Sequence, residues 1–172
     1  MALPKKPNKK SSKLTHIDQD GKASMVDVSD KQETKRIAIA QSKLIFSTDL
    51  LKESIQSKNN DIFSKKGSVF QTAILAGVMG SKQTANLIPL CHNILIDDCQ
   101  VDIEITGDYE VTITTTATTV SKTGIEMEAL TAASVAALTI YDMCKGADKG
   151  IRISDTKLIL KTGGKSGDYK AT

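Results

Sequence analysis

The stretch Gln100-Val101-Asp102-Ile103-Glu104-Ile105-Thr106-Gly107-Asp108-Tyr109-Glu110-Val111-Thr112-Ile113-Thr114-Thr115-Thr116-Ala117-Thr118-Thr119-Val120 alternates, turns, and alternates again. Val101, Ile103 and Ile105 stand against Asp102, Glu104 and Thr106, the period of a strand with one buried and one wet face. Gly107-Asp108 supplies residues that tolerate a tight turn. The return through Val111 and Ile113 is dominated by β-branched residues, which favour strands. The segment predicts a β-hairpin, and a hairpin with one apolar face needs a second layer to cover it.

That layer is sought on either side. Upstream, Val69 to Leu87 reads as a helix: Val69, Ala73, Ala76 and Gly80 fall near one stripe, Ile74 and Val78 near another, and Pro89 stops it. The small residues Ala73, Ala76, Gly77 and Gly80 point to close approach of another backbone. Downstream, Gly124 to Leu130 alternates Ile125 and Met127 against Glu126 and Glu128 and reads as a short strand. Thr131 suits the N-cap of an Ala-rich helix running to Gly146, with Val135, Leu138, Thr139 and Asp142 near one face. Ile151–Ser154 and Lys157–Leu160 read as a last strand pair.

Farther out, Ala23 to Ser29 is short and partly alternating, Lys31 to Ser42 reads as a helix, and Lys52 to Lys66 reads as a polar connection. The sum is an α+β fold: a ferredoxin-like sandwich with an antiparallel sheet and helices packed on one face. Residues 1–14, rich in Lys, Pro and Ser, read as a flexible arm, and 15–172 as a single domain.

The chain has 172 residues, 40% hydrophobic and 25% charged, values of an ordinary globular domain. No apolar run is long enough to span a bilayer, so no membrane partner is expected. The net charge of +3 reports the arm: five lysines lie in residues 1–13, and without them 18 basic groups face 20 acidic ones. Aromatics are 3% with no Trp, a poor supply of stacking platforms, so nucleic acid is not expected as a partner. Cys91, Cys99 and Cys144 are an odd count with no CxxC, and the basic start is not followed by an apolar stretch. Free thiols in a cytoplasmic protein are expected. The spacing of Cys91, His92, Cys99 and Cys144 fits no zinc pattern, so no metal is expected.

Several groups have the chemistry for a site. His92, after Leu90-Cys91 in the loop beyond Pro89, reads as a proton donor, an anion contact or a solvated loop histidine. On a strand, Glu126 and Glu128 share one face, either as paired carboxylates that bind a donor-rich ring or as a solvated edge. Asp142 and Lys145, three apart on a helix, are either an acid–base pair whose lysine is made less basic by burial or a surface ion pair. Lys66-Gly67, Lys82, Lys161 and Gly163-Gly164-Lys165-Ser166-Gly167 bring lysines and flexible backbone that can wrap a polyphosphate; otherwise the last is a mobile terminus. A helix starting near Thr131 puts Asp142 about 16 Å from the Glu pair at 1.5 Å per residue. That is long for one small site, and implies an extended substrate or a site shared by two chains.

Together these segments resemble the cyclic pyranopterin monophosphate synthase family of molybdenum cofactor biosynthesis. The likeness runs over about residues 14–170: Leu14-Thr15-His16-Ile17, Met25-Val26-Asp27-Val28-Ser29, Lys66-Gly67, Leu87-Ile88-Pro89-Leu90-Cys91-His92, the run Lys122 to Ser134, Ile140 to Lys145, and Gly163 to Asp168. Asn93, Gly80-Ser81 and Val120-Ser121 depart from the family's usual residues. The resemblance implies conversion of 3′,8-cyclo-7,8-dihydro-GTP into cyclic pyranopterin monophosphate with release of pyrophosphate, a lyase reaction without metal or organic cofactor. It implies a homohexamer, a trimer of dimers, with sites between subunits. Carried over by position, Asp142, Lys145 and Lys66 are catalytic. Leu90, Cys91, His92, Met127 and Glu128 bind substrate, and Glu126, Lys82, Lys161 and Arg36 line the pocket. A nonenzymatic protein of the same fold that binds a GTP derivative is the alternative.

Overall fold

A computed structural model describes residues 22–56, 60–165 and 167–171; the arm over 1–14 lies outside them. The hairpin forms as its sequence dictates. Strand β4 (Asp98–Gly107) pairs antiparallel with β5 (Glu110–Ser121), setting Val101 opposite Thr115, Ile103 opposite Ile113 and Ile105 opposite Val111. Strand β1 (Thr34–Ile45) pairs with β5 on one side and with β6 (Arg152–Thr162) on the other, and β7 (Tyr169–Lys170) adds the far edge. Helices α2 (Val69–Lys82) and α4 (Glu126–Cys144) cover one face. Leaving aside the short pieces α1 (Leu50–Gln56), β2 (Phe63–Ser64), β3 (Gly67–Ser68), α3 (Thr84–Leu87) and the two-residue β7, the order is βαββαβ with sheet order β4-β5-β1-β6. This is the ferredoxin-like sandwich.

Four local readings are corrected. Residues 34–42, expected to be helical, form the middle of the sheet. Ala38, Ala40, Ser42 and Leu44 are buried in strict alternation, a period of two. The alanines are there because α4 crosses them: Ala38 and Ala40 pack with Ala129 and Ala133 in a cluster where small faces small. Gly124–Leu130, expected as a strand, instead carries the start of α4, five residues before Thr131. Ile125, Ala129, Ala132, Ala133, Ala136, Ala137, Ile140 and Cys144 give one continuous helical stripe, all buried. The polar connection over 52–66 opens inside α1, anchored by buried Leu51. The last strand pair is a single strand, in which Asp155 takes a positive φ (+49°) beside register shifts against β1.

The small residues of α2 do what their size allows. A methyl at Gly77 would stand 3.1 Å from Ala132 O, and one at Gly80 2.8 Å from Val135 Cγ2. The two helices therefore pack nearly backbone to backbone, over a core of Leu44, Phe70, Ile113 and Ile140. Helix α2 starts on Ser68, whose hydroxyl accepts from the Gln71 amide (3.0 Å), and ends at Lys82 rather than running on to Leu87. Thr115, fully buried, donates to Ala129 O (2.7 Å) and pins the first turns of α4 to the sheet.

Asp148 closes the other end. It is 2% exposed, yet its carboxylate accepts from the amide and hydroxyl of Ser47, the amide and hydroxyl of Thr48 and the Gly150 amide. Burial alone would raise its pKa; these donors hold it below the usual carboxylate value.

Candidate active site

Where β5 runs into α4, segments from across the chain enclose a cavity of about 540 Å³, a size that suits a nucleotide-sized ligand. Its walls come from Val26, Val28 and Lys31, from Arg36 of β1, from Leu90-Cys91-His92, from Lys122 to Gly124, from the first turn of α4, and from Lys161, Gly163 and Lys165. Lys31, Arg36, Lys122, Lys161 and Lys165 bring positive charge to these walls, and only Glu126 and Glu128 bring negative charge. Even with both glutamates ionised, the cavity carries a surplus of three positive charges, the condition for capturing a polyanion.

The helical start of α4 changes what the two glutamates do. Two residues apart on a helix, they point roughly 200° apart rather than sharing a face. Glu126 is partly exposed and binds the Lys161 ammonium at 2.9 Å. Glu128 is turned inward and 4% exposed, and among the described residues no ion pair includes it. Burial first, and then the charge of Glu126, push its pKa up to about 7. Its own partial burial, and then the Glu128 charge, raise the Cys91 thiol. Met127, which a strand would set with Ile125 on the core side, is instead exposed toward the cavity, while Ile125 is buried.

Arg36 acts as a fixed clamp. Its Nε–H donates to Ser121 O (2.8 Å) and an Nη2–H to Lys122 O (3.1 Å), which anchors the end of β5. Gly164, at φ +84°, lies on the guanidinium; a Cβ there would stand 2.2 Å from Nη1. The glycine-rich end is thus folded onto the site at Gly163 and Gly164, not left as a solvated tail. His92 Nε2 donates to Val26 O (2.8 Å), and Lys122 Nζ to Ser29 O (2.8 Å).

Asp142, Lys145 and Lys66 are elsewhere. Lys145 Nζ lies 2.6 Å from Asp142 Oδ1, with side chains 54% and 56% exposed, and the charge of Lys66 reaches Asp142. The Lys145 hydrogen bond first, and then the lysine charges, hold Asp142 below its usual value, and Asp142 raises Lys145. The idea of a lysine made less basic by burial is thereby corrected: within one chain it is exposed and more basic. Asp142 is sixteen residues beyond Glu126 on the same helix, about 24 Å at 1.5 Å per residue. Lys82, also exposed, lies beside Cys99 at the end of α2 and does not line the cavity. Among the described residues, no group of three or more His, Cys, Asp or Glu is placed to hold a metal ion, and no helix is long and apolar enough to cross a membrane.

Lys31 and Lys122 were not singled out by sequence reasoning. Lys122 lies within a segment quoted above, but no spacing rule marked it as facing the cavity.

Residues 25–164 match the profile of the MoaC family. The chain belongs to the MoaC family. The match takes in Lys66, Asp142 and Lys145 and the whole cavity lining except Lys165. Among family relatives, a cyclic pyranopterin monophosphate synthase of Listeria monocytogenes serotype 4a (strain HCC23) is 49% identical, over 92% of this chain and 96% of its own. The protein of the same name from Staphylococcus carnosus (strain TM300) is 45% identical over 92% and 97%. The molybdenum cofactor biosynthesis protein 1 of Dictyostelium discoideum is 46% identical over 94% of this chain, which matches 28% of that longer protein.

Proposed function

We propose that this chain is a cyclic pyranopterin monophosphate synthase of molybdenum cofactor biosynthesis, converting 3′,8-cyclo-7,8-dihydro-GTP into cyclic pyranopterin monophosphate with release of pyrophosphate. In class terms it is a phosphorus–oxygen lyase. The observation that carries this reading is the cavity whose cations outnumber its carboxylates by three, with a buried glutamate beside them. The triphosphate meets Lys161, Lys122 and His92. The donor-rich purine-derived ring meets Glu126 and Glu128. With a pKa of about 7, Glu128 is present in both protonation states near neutrality, so it accepts from ring N–H groups or donates to a ring carbonyl.

Closing the cyclic phosphate requires attack of a ribose-derived hydroxyl on the α-phosphorus, while cations stabilise the departing pyrophosphate. Ring opening and pterin closure require proton transfers, assigned to Asp142, Lys145 and Lys66. With its pKa raised by Asp142, Lys145 enters as an ammonium and therefore as a proton donor. The roughly 24 Å between the two groups is too far for one substrate to bridge within a chain. The site is therefore completed by a second chain, in a homohexamer built as a trimer of dimers, in the cytoplasm.

The test is turnover of the cyclised substrate, with the product identified by mass and pyrophosphate measured. Lys145→Ala is expected to lose at least about 100-fold. Full turnover in that variant removes Lys145 from the chemistry. Absence of turnover by the folded wild-type chain overturns the function.

A further inference from the structure

Between Ser24 and Val28 the backbone joins no helix and no strand. Yet two hydrogen-bond donors of the cavity are spent on this segment: His92 Nε2–H on Val26 O (2.8 Å) and the Lys122 ammonium on Ser29 O (2.8 Å). The Asp27 carboxylate accepts from the Ser29 amide (2.8 Å) and hydroxyl. These two bonds first, and then the charges of His92 and Lys122, keep Asp27 below its usual value. Val26 and Val28 line the cavity, so the segment is also one of its walls. The latch is an irregular stretch held to these donors by two backbone carbonyls and braced internally by one exposed carboxylate. A polyphosphate carries full negative charge on several acceptor oxygens, so it attracts the Lys122 ammonium more strongly than a neutral carbonyl does and also accepts from the His92 N–H.

We propose that Val26–Ser29 is a displaceable strap: its carbonyls occupy His92 and Lys122, the Asp27 carboxylate braces it through Ser29 and adds negative charge near both donors, and a polyphosphate ligand frees the strap by taking those donors. The inference rests on the reading of the cavity as the polyphosphate site. It makes substrate entry and product release a competition between chain and ligand. Affinity is then reduced by the fraction of molecules in which the strap is latched.

The experiment titrates inorganic pyrophosphate into the full-length wild type and Asp27→Asn by calorimetry, and follows amide exchange over residues 25–31 with and without saturating pyrophosphate. Asp27→Asn is expected to bind about three- to tenfold more tightly. Removing a negative charge near the cavity can tighten binding by electrostatics alone, so exchange is the deciding readout. In the wild type, pyrophosphate is expected to speed exchange at Ser29, whose amide Asp27 holds, and at Lys31, whose amide donates to Val28 O. Unchanged or weaker binding by Asp27→Asn, or slower exchange on adding pyrophosphate, overturns the strap. Turnover of the cyclised substrate by the same wild-type preparation separates the two failures. Turnover without those responses removes the strap alone, and absence of both turnover and pyrophosphate binding removes the strap and the proposed function together.

Discussion

If each site joins the cavity of one chain to the Asp142–Lys145 pair of another, two dead variants should rescue each other, and the structure fixes which ones. Lys161 belongs to the cavity and pairs with Glu126 at the start of α4, whereas Lys145 pairs with Asp142, about 24 Å along that helix from Glu126. Co-expressed Lys161→Ala and Lys145→Ala chains pair at random, so half the dimers are mixed. In a mixed dimer with two-fold symmetry, one site receives both damaged ends and the other receives both intact ends. About a quarter of all sites should be live, against a background at least about 100-fold below wild type for each variant alone. The assay is pyrophosphate release from the cyclised substrate, after mass analysis of the intact complex has verified mixed oligomers. Lys66→Ala with Asp142→Ala is the control and should show no rescue, because both residues sit at one end of the chain. Verified mixed oligomers without rescue would refute the shared site. Rescue in the control pair would refute the placement of Lys66 beside Asp142.

Three further outcomes are expected. Glu128→Gln should remove a pH dependence of stability. Its folded pKa of about 7 lies above the ordinary 4.5, so the native state holds a proton that the unfolded chain gives up, and stability falls as pH rises between those values. The step is at most about 3 kcal/mol, and urea unfolding at pH 5 and pH 8 should show it in the wild type but not in the variant. Asp148→Asn should cost about 3 kcal/mol, because one amide oxygen cannot serve five donors and its NH₂ adds two more; thermal unfolding should fall by roughly 6–12 °C. Since its folded pKa is depressed, the Asp148 contribution is complete above the ordinary carboxylate range and is lost as pH falls below it. Gly164→Ala should keep the fold, as judged by circular dichroism, but weaken pyrophosphate binding about tenfold by pushing Arg36 off Ser121 and Lys122; unchanged affinity would show that the guanidinium is not held by that contact.

The sandwich was readable where a face is half wet. The β4–β5 hairpin alternates because water lies on one side of it, and its register follows its apolar residues. Strand β1 misled because it lies in the middle of the sheet with α4 across it. It needs alanines where the helix crosses, and alternating Ile and Ala also suits a helix. The start of α4 misled for a related reason: four alternating residues fit both periods, and only the longer spacing from Ile125 to Ala129 and Ala133 decides between them. That error moved the chemistry, since a strand would have aligned Glu126 with Glu128, whereas the helix gives one to Lys161 and buries the other. The Asp148 hub could not be read at all, because its partners Ser47 and Thr48 are about a hundred residues away in the chain.

Net charge was a poor guide to the partner because it averages regions that do different things. The basic surplus of the whole chain comes from residues 1–13, outside the described residues, while residues 14–172 are slightly acidic. Within that acidic body, five cations are brought to one cavity from positions as distant in sequence as Lys31 and Lys165. Their types divide the work. Arg36, with a planar fork that suits two carbonyls at once, is spent on fixing the wall. The charge that meets a ligand is left to lysines, whose flexible stems and compact ammonium groups can change partners. Lys161 on Glu126 and Lys122 on Ser29 O are each held by a group that phosphate oxygens can displace. On the proposed function the site binds a triphosphate and then releases pyrophosphate, and it needs such provisional partners, because a cation with no alternative acceptor would hold the product as firmly as the substrate.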